Sequence, residues 1–242
     1  MPINFSNGTE LTSTMQYSDY RIVRDGLVLL IDQSGRSFKL GEMRDDSGQG
    51  NHVYEEISIS DYHTGSSDWP IAWSFNGTAS VARINNHSSL NPSNVSIEAW
   101  VNFDDNSNSF IFEKGNVNTQ YSLFSHGADI VFRTKHSGDS TYNTLSTTKT
   151  NAGISNGTWH HIVGSFDGSN KRLYVDTTQV ASSSKTGNIV TTSNGASIGR
   201  FGGTSSGYFF TGKIGKVAVY NRGITADEVS INFEATRGIY GR

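Results

Sequence analysis

The sequence predicts an all-β protein: an antiparallel β-sandwich with one short C-terminal helix. Three observations predict it. Short runs of β-branched and aromatic residues recur along the chain, separated by Gly, Asn, Asp and Ser. The chain holds 26 Gly against 3 Pro with only 17% charged residues, the composition of many strands joined by polar turns. The stretch 157–176, Gly-Thr-Trp-His-His-Ile-Val-Gly-Ser-Phe-Asp-Gly-Ser-Asn-Lys-Arg-Leu-Tyr-Val-Asp, sets β-forming runs at 159–166 and 171–175 around the turn Asp167-Gly168-Ser169-Asn170. In its first strand His160, Ile162, Gly164 and Phe166 face one way, while Trp159, His161, Val163 and Ser165 face the other. Apolar residues on both faces mark a central strand of a layered sheet.

Read as W-H-H-[IV]-x-G-x-[FY]-D-G-S followed by [KR]-L-Y-V-D, this hairpin resembles the laminin-G-like, concanavalin A-like jelly roll. The resemblance extends to Ser96-Ile-Glu-Ala-Trp-Val-Asn-Phe103, to Phe112-Glu-Lys-Gly115, to Ser197-Ile-Gly199 and to the segment from Gly212 to Thr225. It spans residues 70–240 and implies a sandwich of the kind used by lectins, pentraxins and many extracellular or virion proteins. One departure stands out. The family turns its next hairpin with Asp-Gly, whereas here Asp176 is followed by Thr177-Thr178, so that turn needs another geometry. Fold alone does not settle function, because lectins, hydrolases and scaffolds share this architecture.

Composition narrows the classes. The 242 residues suffice for one large sandwich with an appendage, and a second full domain is not expected. The net charge of -3 with no basic block leaves no electrostatic footprint for nucleic acid. There is no cysteine, so disulfides, thiolate metal sites and a Cys nucleophile are excluded, and a bacterial or viral source is favoured over a secreted animal one. No run approaches the ~20 apolar residues of a membrane span. The opening Met1-Pro-Ile-Asn-Phe-Ser-Asn-Gly-Thr-Glu lacks the basic and apolar regions of a secretory signal, so synthesis in a bacterial cytoplasm is the expectation. Six Asn-x-Ser/Thr sequons, at Asn4, Asn7, Asn76, Asn86, Asn94 and Asn156, are accordingly read as turns.

In chain order, residues 1–25 are polar with scattered aromatics and form an expected attachment arm, with Ile3, Phe5, Tyr17 and Tyr20 as its contact residues. Residues 26–242 form the sandwich, 26–69 as lead-in strands and 70–242 as its core. Residues 26–32 are a continuous apolar run, hence a buried strand. Asp45-Asp-Ser-Gly-Gln-Gly-Asn-His52 resembles a segment that precedes the first sandwich strands in this superfamily. A plain turn is its first reading, and a Ca²⁺ ion held by Asp45 and Asp46 is the alternative. Strands follow at 53–59 and 81–84, with Trp69, Trp73 and Phe75 entering the sandwich between them. Residues 96–103 alternate strictly, Ile97, Ala99, Val101 and Phe103 on one face and Ser96, Glu98, Trp100 and Asn102 on the other. Trp100 is therefore read as a core or second-layer residue. Asp104-Asp-Asn-Ser-Asn108 begins like a calcium loop but lacks its Gly and its closing Glu, so it is read as a turn. Further strands are expected at 109–113, 121–124, 129–134, 142–146, 179–182, 196–199 and 211–220. Thr225-Ala-Asp-Glu228 is a capping box opening a helix that Gly238 would end.

Catalytic patterns are missing. No E-x-D-x-x-E cluster of a glycanase occurs, Glu55 and Glu56 point to opposite faces, and Glu98 stands among neutral neighbours. His160 and His161 diverge on a strand and read as structural, and no G-x-S-x-G is present. Gly207-Tyr-Phe-Phe-Thr-Gly-Lys213 has P-loop spacing, but Ile214 replaces the Ser/Thr and a strand follows. No enzyme is expected and no cofactor is required. The carbohydrate-binding patch expected on a sandwich rim is Tyr142 and Asn143 with Arg200, Phe201 and Tyr208 from a Gly-rich loop.

The closing segment, Ile224 to Arg242, resembles the tail of laminin-G-like structural proteins of tailed bacteriophages. That resemblance implies a non-enzymatic virion component, a head decoration or short fibre on the particle surface. Its partners would be other virion proteins of capsid or tail in an oligomeric assembly. The competing expectation is a lectin or receptor-binding module whose partner is a host surface glycan.

Overall fold

A computed structural model describes residues 22–32, 43–62, 72–115, 119–202 and 207–242. Ile3, Phe5, Tyr17, Tyr20 and Trp69 lie outside the described residues. Fifteen strands are formed among the described ones. They are β1 (Leu27–Asp32), β2 (Val53–Ile57), β3 (Ser60–Tyr62), β4 (Ala72–Asn76), β5 (Val81–Ile84), β6 (Val95–Phe103), β7 (Ser109–Lys114), β8 (Tyr121–His126), β9 (Asp129–Thr134), β10 (Asn143–Thr148), β11 (Trp159–Phe166), β12 (Asn170–Val175), β13 (Thr178–Ser184), β14 (Ala196–Ile198) and β15 (Thr211–Tyr220). An eight-stranded antiparallel sheet runs β13-β12-β11-β6-β15-β4-β3, with β1 also pairing β15, and a seven-stranded sheet runs β10-β9-β8-β7-β14-β5-β2.

The alternation read in the sequence decides which face of each strand enters the core. Ile97, Ala99, Val101 and Phe103 of β6, with Ile162 and Phe166 of β11, meet Phe112, Leu123 and Phe132 of the opposite sheet, all fully buried. Gly164 belongs to this face because the Phe132 ring lies against it, where a Cβ would sit 2.5 Å from ring carbons.

The other face of the eight-stranded sheet carries a second layer. Helix α1 (Ala226–Thr236) opens with both arms of the Thr225/Glu228 capping box. Trp100 stacks on Phe233 at 5.5 Å and on Tyr240 at 4.5 Å, and its Nε1 donates to Thr236 Oγ1 at 2.8 Å. The helix does not end at Gly238. It ends at Thr236 and tightens into a 3₁₀ turn over Arg237–Tyr240, with Gly241 at φ 69°, because the extra turn lays Tyr240 on Trp100 and Trp159. Nor is Glu98 isolated, since β11, β15 and α1 bring His161, Lys216 and Asn232 to it.

The hairpin turn without glycine takes left-handed geometry all the same, with Asp176 at φ 46° and Thr177 at φ 74°. Asp176 is held there by its carboxylate, which accepts from His161 N at 2.9 Å, shares a hydrogen bond with His160 Nδ1 at 2.8 Å and pairs with Arg242 at 2.7 Å. Thr177 bears the steric cost of a β-branched side chain in that region. Thr177→Gly should therefore raise the unfolding free energy by about 1 kcal/mol, read as a higher urea midpoint. A lower midpoint would show that the turn is not strained.

Candidate ligand-binding cleft

The outer face of the seven-stranded sheet is built from the positions that alternate with the core. Registers align Phe110, Phe124 and Val131 in one row, and Glu113, Ser122, Arg133 and Thr144 in the next. Phe110 faces outward although Phe112, two residues on, is in the core, because a register shift between them re-aims the strand. The Phe110 and Phe124 rings stack at 4.5 Å and 3°.

Residues 199–202 and 207–210 lie over the end of this row. Gly199 N donates to Ile111 O at 3.1 Å, Phe210 N to Gly199 O at 2.7 Å and Phe110 N to Tyr208 O at 3.4 Å. These bonds set Phe201 and Tyr208 at 5.1 and 6.3 Å from the Phe110 ring and 6.2 Å from each other. The result is a cleft of about 170 Å³ with four aromatic rings and the polar side chains of Asn108, Ser125, His126 and Arg133 around it. Tyr208 is 47% exposed and sits at φ 63°, a conformation that a bulky residue keeps only when its surroundings enforce it.

Beside the cleft, Glu113 is buried and ties the loop to the sheet. It accepts from Gly202 N at 2.6 Å and from Thr119 Oγ1 at 2.9 Å. Burial pushes its pKa up to about 7, against the lowering by those two donors and by the Arg133 and Lys114 charges.

Of the rim residues expected from the sequence, Phe201 and Tyr208 come together in the cleft, and Tyr142 joins them through Arg133, whose guanidinium lies 4.3 Å over Phe124 and 4.9 Å over Tyr142. Asn143 and Arg200 do not join. Asn143 has the parity of the core residue Leu145, and its carbonyl accepts from the buried Lys171 Nζ at 2.7 Å. Arg200 alternates away from Phe201 and lies 4.8 Å over Phe209. Phe110, Phe124, Arg133 and Glu113 were missed; the signal in the sequence was a set of outward-facing aromatics on consecutive strands.

The calcium expectation meets a filled carboxylate. Asp45 accepts from Leu30 N, Ser47 N, Ser47 Oγ and Asn51 N at 2.8–2.9 Å, so its oxygens serve the turn, and Asp46 adds its amide to Leu30 O. The loop 104–108 is occupied by protein cations: Lys149 Nζ lies 3.2 Å from Asp105 O and 3.3 Å from Asn106 Oδ1, and Lys213 Nζ 3.1 Å from Asp104 Oδ1. Among the described residues no group of three or more His, Cys, Asp or Glu gathers as a metal site. His160 and His161 turn to different partners, Asp176 and Glu98.

The two packed antiparallel sheets make a lectin-like β-sandwich, with the aromatic cleft on the outer face of one of them. The chain belongs to the concanavalin A-like lectin/glucanases superfamily, whose laminin-G model matches residues 76–230. No curated protein matches it. Among solved structures it is similar to the binding domain of Paraclostridial Mosquitocidal Protein 1, at 18% identity and TM-score 0.67, over 90% of this chain and 56% of that one. It is also similar to the receptor binding domain of botulinum neurotoxin D, at 11% identity and TM-score 0.63, over 88% and 53%. The binding domain of botulinum neurotoxin DC in complex with SialylT gives 11%, 0.63, 88% and 52%. The chain thus spans a little over half of each domain, and at these identities the likeness is one of fold.

Proposed function

We propose that the chain is a non-catalytic recognition module of lectin type that binds a glycan in the cleft walled by Phe201 and Tyr208. The observation that carries this reading is the stacked Phe110–Phe124 pair, walled by Phe201 and Tyr208 and flanked by polar donors on a rigid sheet. Sugars offer apolar C–H faces to aromatic rings and hydroxyls to polar side chains, and a site held by strands keeps both in register. A glycanase needs two carboxylates about 5–10 Å apart around the scissile bond. Among the described residues the cleft lining carries neither Asp nor Glu, and the nearby Glu113 is committed to Gly202 and Thr119.

The toxin binding domains support recognition as the role, one of them having been solved in complex with SialylT. Display on a virion through residues 1–25, expected from the tail resemblance, draws no support from them. Glycan-array and saturation-transfer measurements test the proposal. The wild-type chain should bind at least one class of saccharide, and Phe201→Ala should weaken it about tenfold at an unchanged Tm. A wild-type chain that binds no saccharide would refute it.

A further inference from the structure

Arg133 is the unusual cation of this surface. A guanidinium carries five donors and is normally paired when it is drawn out of water. Arg83, Arg172 and Arg222 follow that rule, each with a carboxylate at 2.6 Å. Arg133 makes no hydrogen bond or ion pair with the described residues, and its Nε is buried without a partner. Its plane is held between the rings of Phe124 and Tyr142, so its orientation is set while its donor edge stays unclaimed.

The neighbouring charges do not neutralise it. Glu113, in the same row on β7, spends its oxygens on Gly202 and Thr119 and is pulled toward the neutral form by burial. Lys135, just past the end of β9, donates to Asp139 O at 2.6 Å and adds a second positive charge 5.7 Å from the Tyr142 ring. His126 of β8 closes the rim.

Resting on the recognition reading above, we infer that the cleft takes an acidic sugar, its ring on Phe110, Phe124 and Phe201 and its carboxylate on the Arg133 guanidinium. A planar carboxylate matches the fork of a guanidinium with two parallel hydrogen bonds, and a cleft of about 170 Å³ has room for one sugar ring.

The test titrates the full chain with methyl glucuronide, the methyl glycoside of N-acetylneuraminic acid, methyl glucoside and glucose 6-sulfate, followed by amide chemical shifts. One or both carboxylate sugars should bind roughly tenfold tighter than methyl glucoside. Arg133→Gln should erase that preference at an unchanged Tm, while Arg133→Lys keeps part of it. Added salt should shrink the wild-type preference, a readout that needs no variant. Equal binding of neutral and acidic sugars, a preference that survives Arg133→Gln, or binding of the sulfate alone would overturn the inference and leave the lectin reading standing. Binding of none of the four, with an empty glycan array, would overturn both.

Discussion

Lys216→Met should lower the unfolding free energy by about 3–5 kcal/mol, the loss expected when one partner of a buried ion pair is removed. Lys216, Glu98, His161 and Asn232 are all fully buried between the eight-stranded sheet and α1. Lys216 Nζ lies 2.6 Å and His161 Nε2 3.1 Å from Glu98 Oε1, while Asn232 donates to Oε2 and to Tyr220 OH and accepts from Val23 N at 2.7 Å. Burial alone would raise the Glu98 carboxyl, but the Lys216 ammonium and the His161 ring outweigh it and hold the pKa far below the usual range. A carboxyl with a depressed folded pKa contributes stability above its unfolded pKa and loses it as pH falls through the folded one, so the cluster is at full strength near neutral pH. Without Lys216 the carboxylate stays buried with too little counter-charge. The double variant E98Q/K216M should recover much of the loss, because no naked charge remains. Urea unfolding at neutral pH decides the matter: a single variant that loses under about 1 kcal/mol, or a double variant no better than the single, would show that the cluster is not an interdependent unit.

That cluster also shows where the sequence stops being legible. The face of β6 that enters the core followed from its period of two, and strands 129–134, 159–166 and 211–220 have the bounds that their apolar patterns predicted. Glu98 looked isolated because its partners stand 118 and 134 residues away, on elements whose placement depends on the whole topology. The cleft has the same character. Phe201 and Tyr208 were visible as aromatics in a Gly-rich loop, but the outward aim of Phe110 depends on a bulge that strict alternation does not foresee. An unpaired Arg133 cannot be seen without knowing which carboxylates come near it. The core-side placement of Asn143 was legible, since it shares the parity of Leu145.

Replacing Glu113 by Gln should give a stability advantage that depends on pH. Burial raises the Glu113 pKa from 4.5 to about 7, so the folded chain keeps this proton where the unfolded chain has released it. Below the unfolded value both states are protonated and the group costs nothing. As pH rises toward 7 the wild type loses about 1.4 kcal/mol per unit, and above the folded pKa the loss levels off at about 3 kcal/mol. Glutamine has no such titration. It can imitate the protonated acid, its oxygen accepting from Gly202 N and its amide donating to a reversed Thr119 hydroxyl. Glu113→Gln should thus match the wild type near pH 4.5 and exceed it by up to about 3 kcal/mol near pH 8, seen in urea midpoints across that range. Lys171, which burial pushes down to about 7, and His136, whose pKa burial also lowers, titrate in both proteins and cancel in the difference. A pH-independent difference would mean that Glu113 is ionised throughout, held by the Gly202 and Thr119 donors and the Arg133 and Lys114 charges more strongly than its burial opposes. In that case a carboxylate in the same row as Arg133 would offset part of its charge, and the cleft's preference for an acidic sugar should be correspondingly weaker.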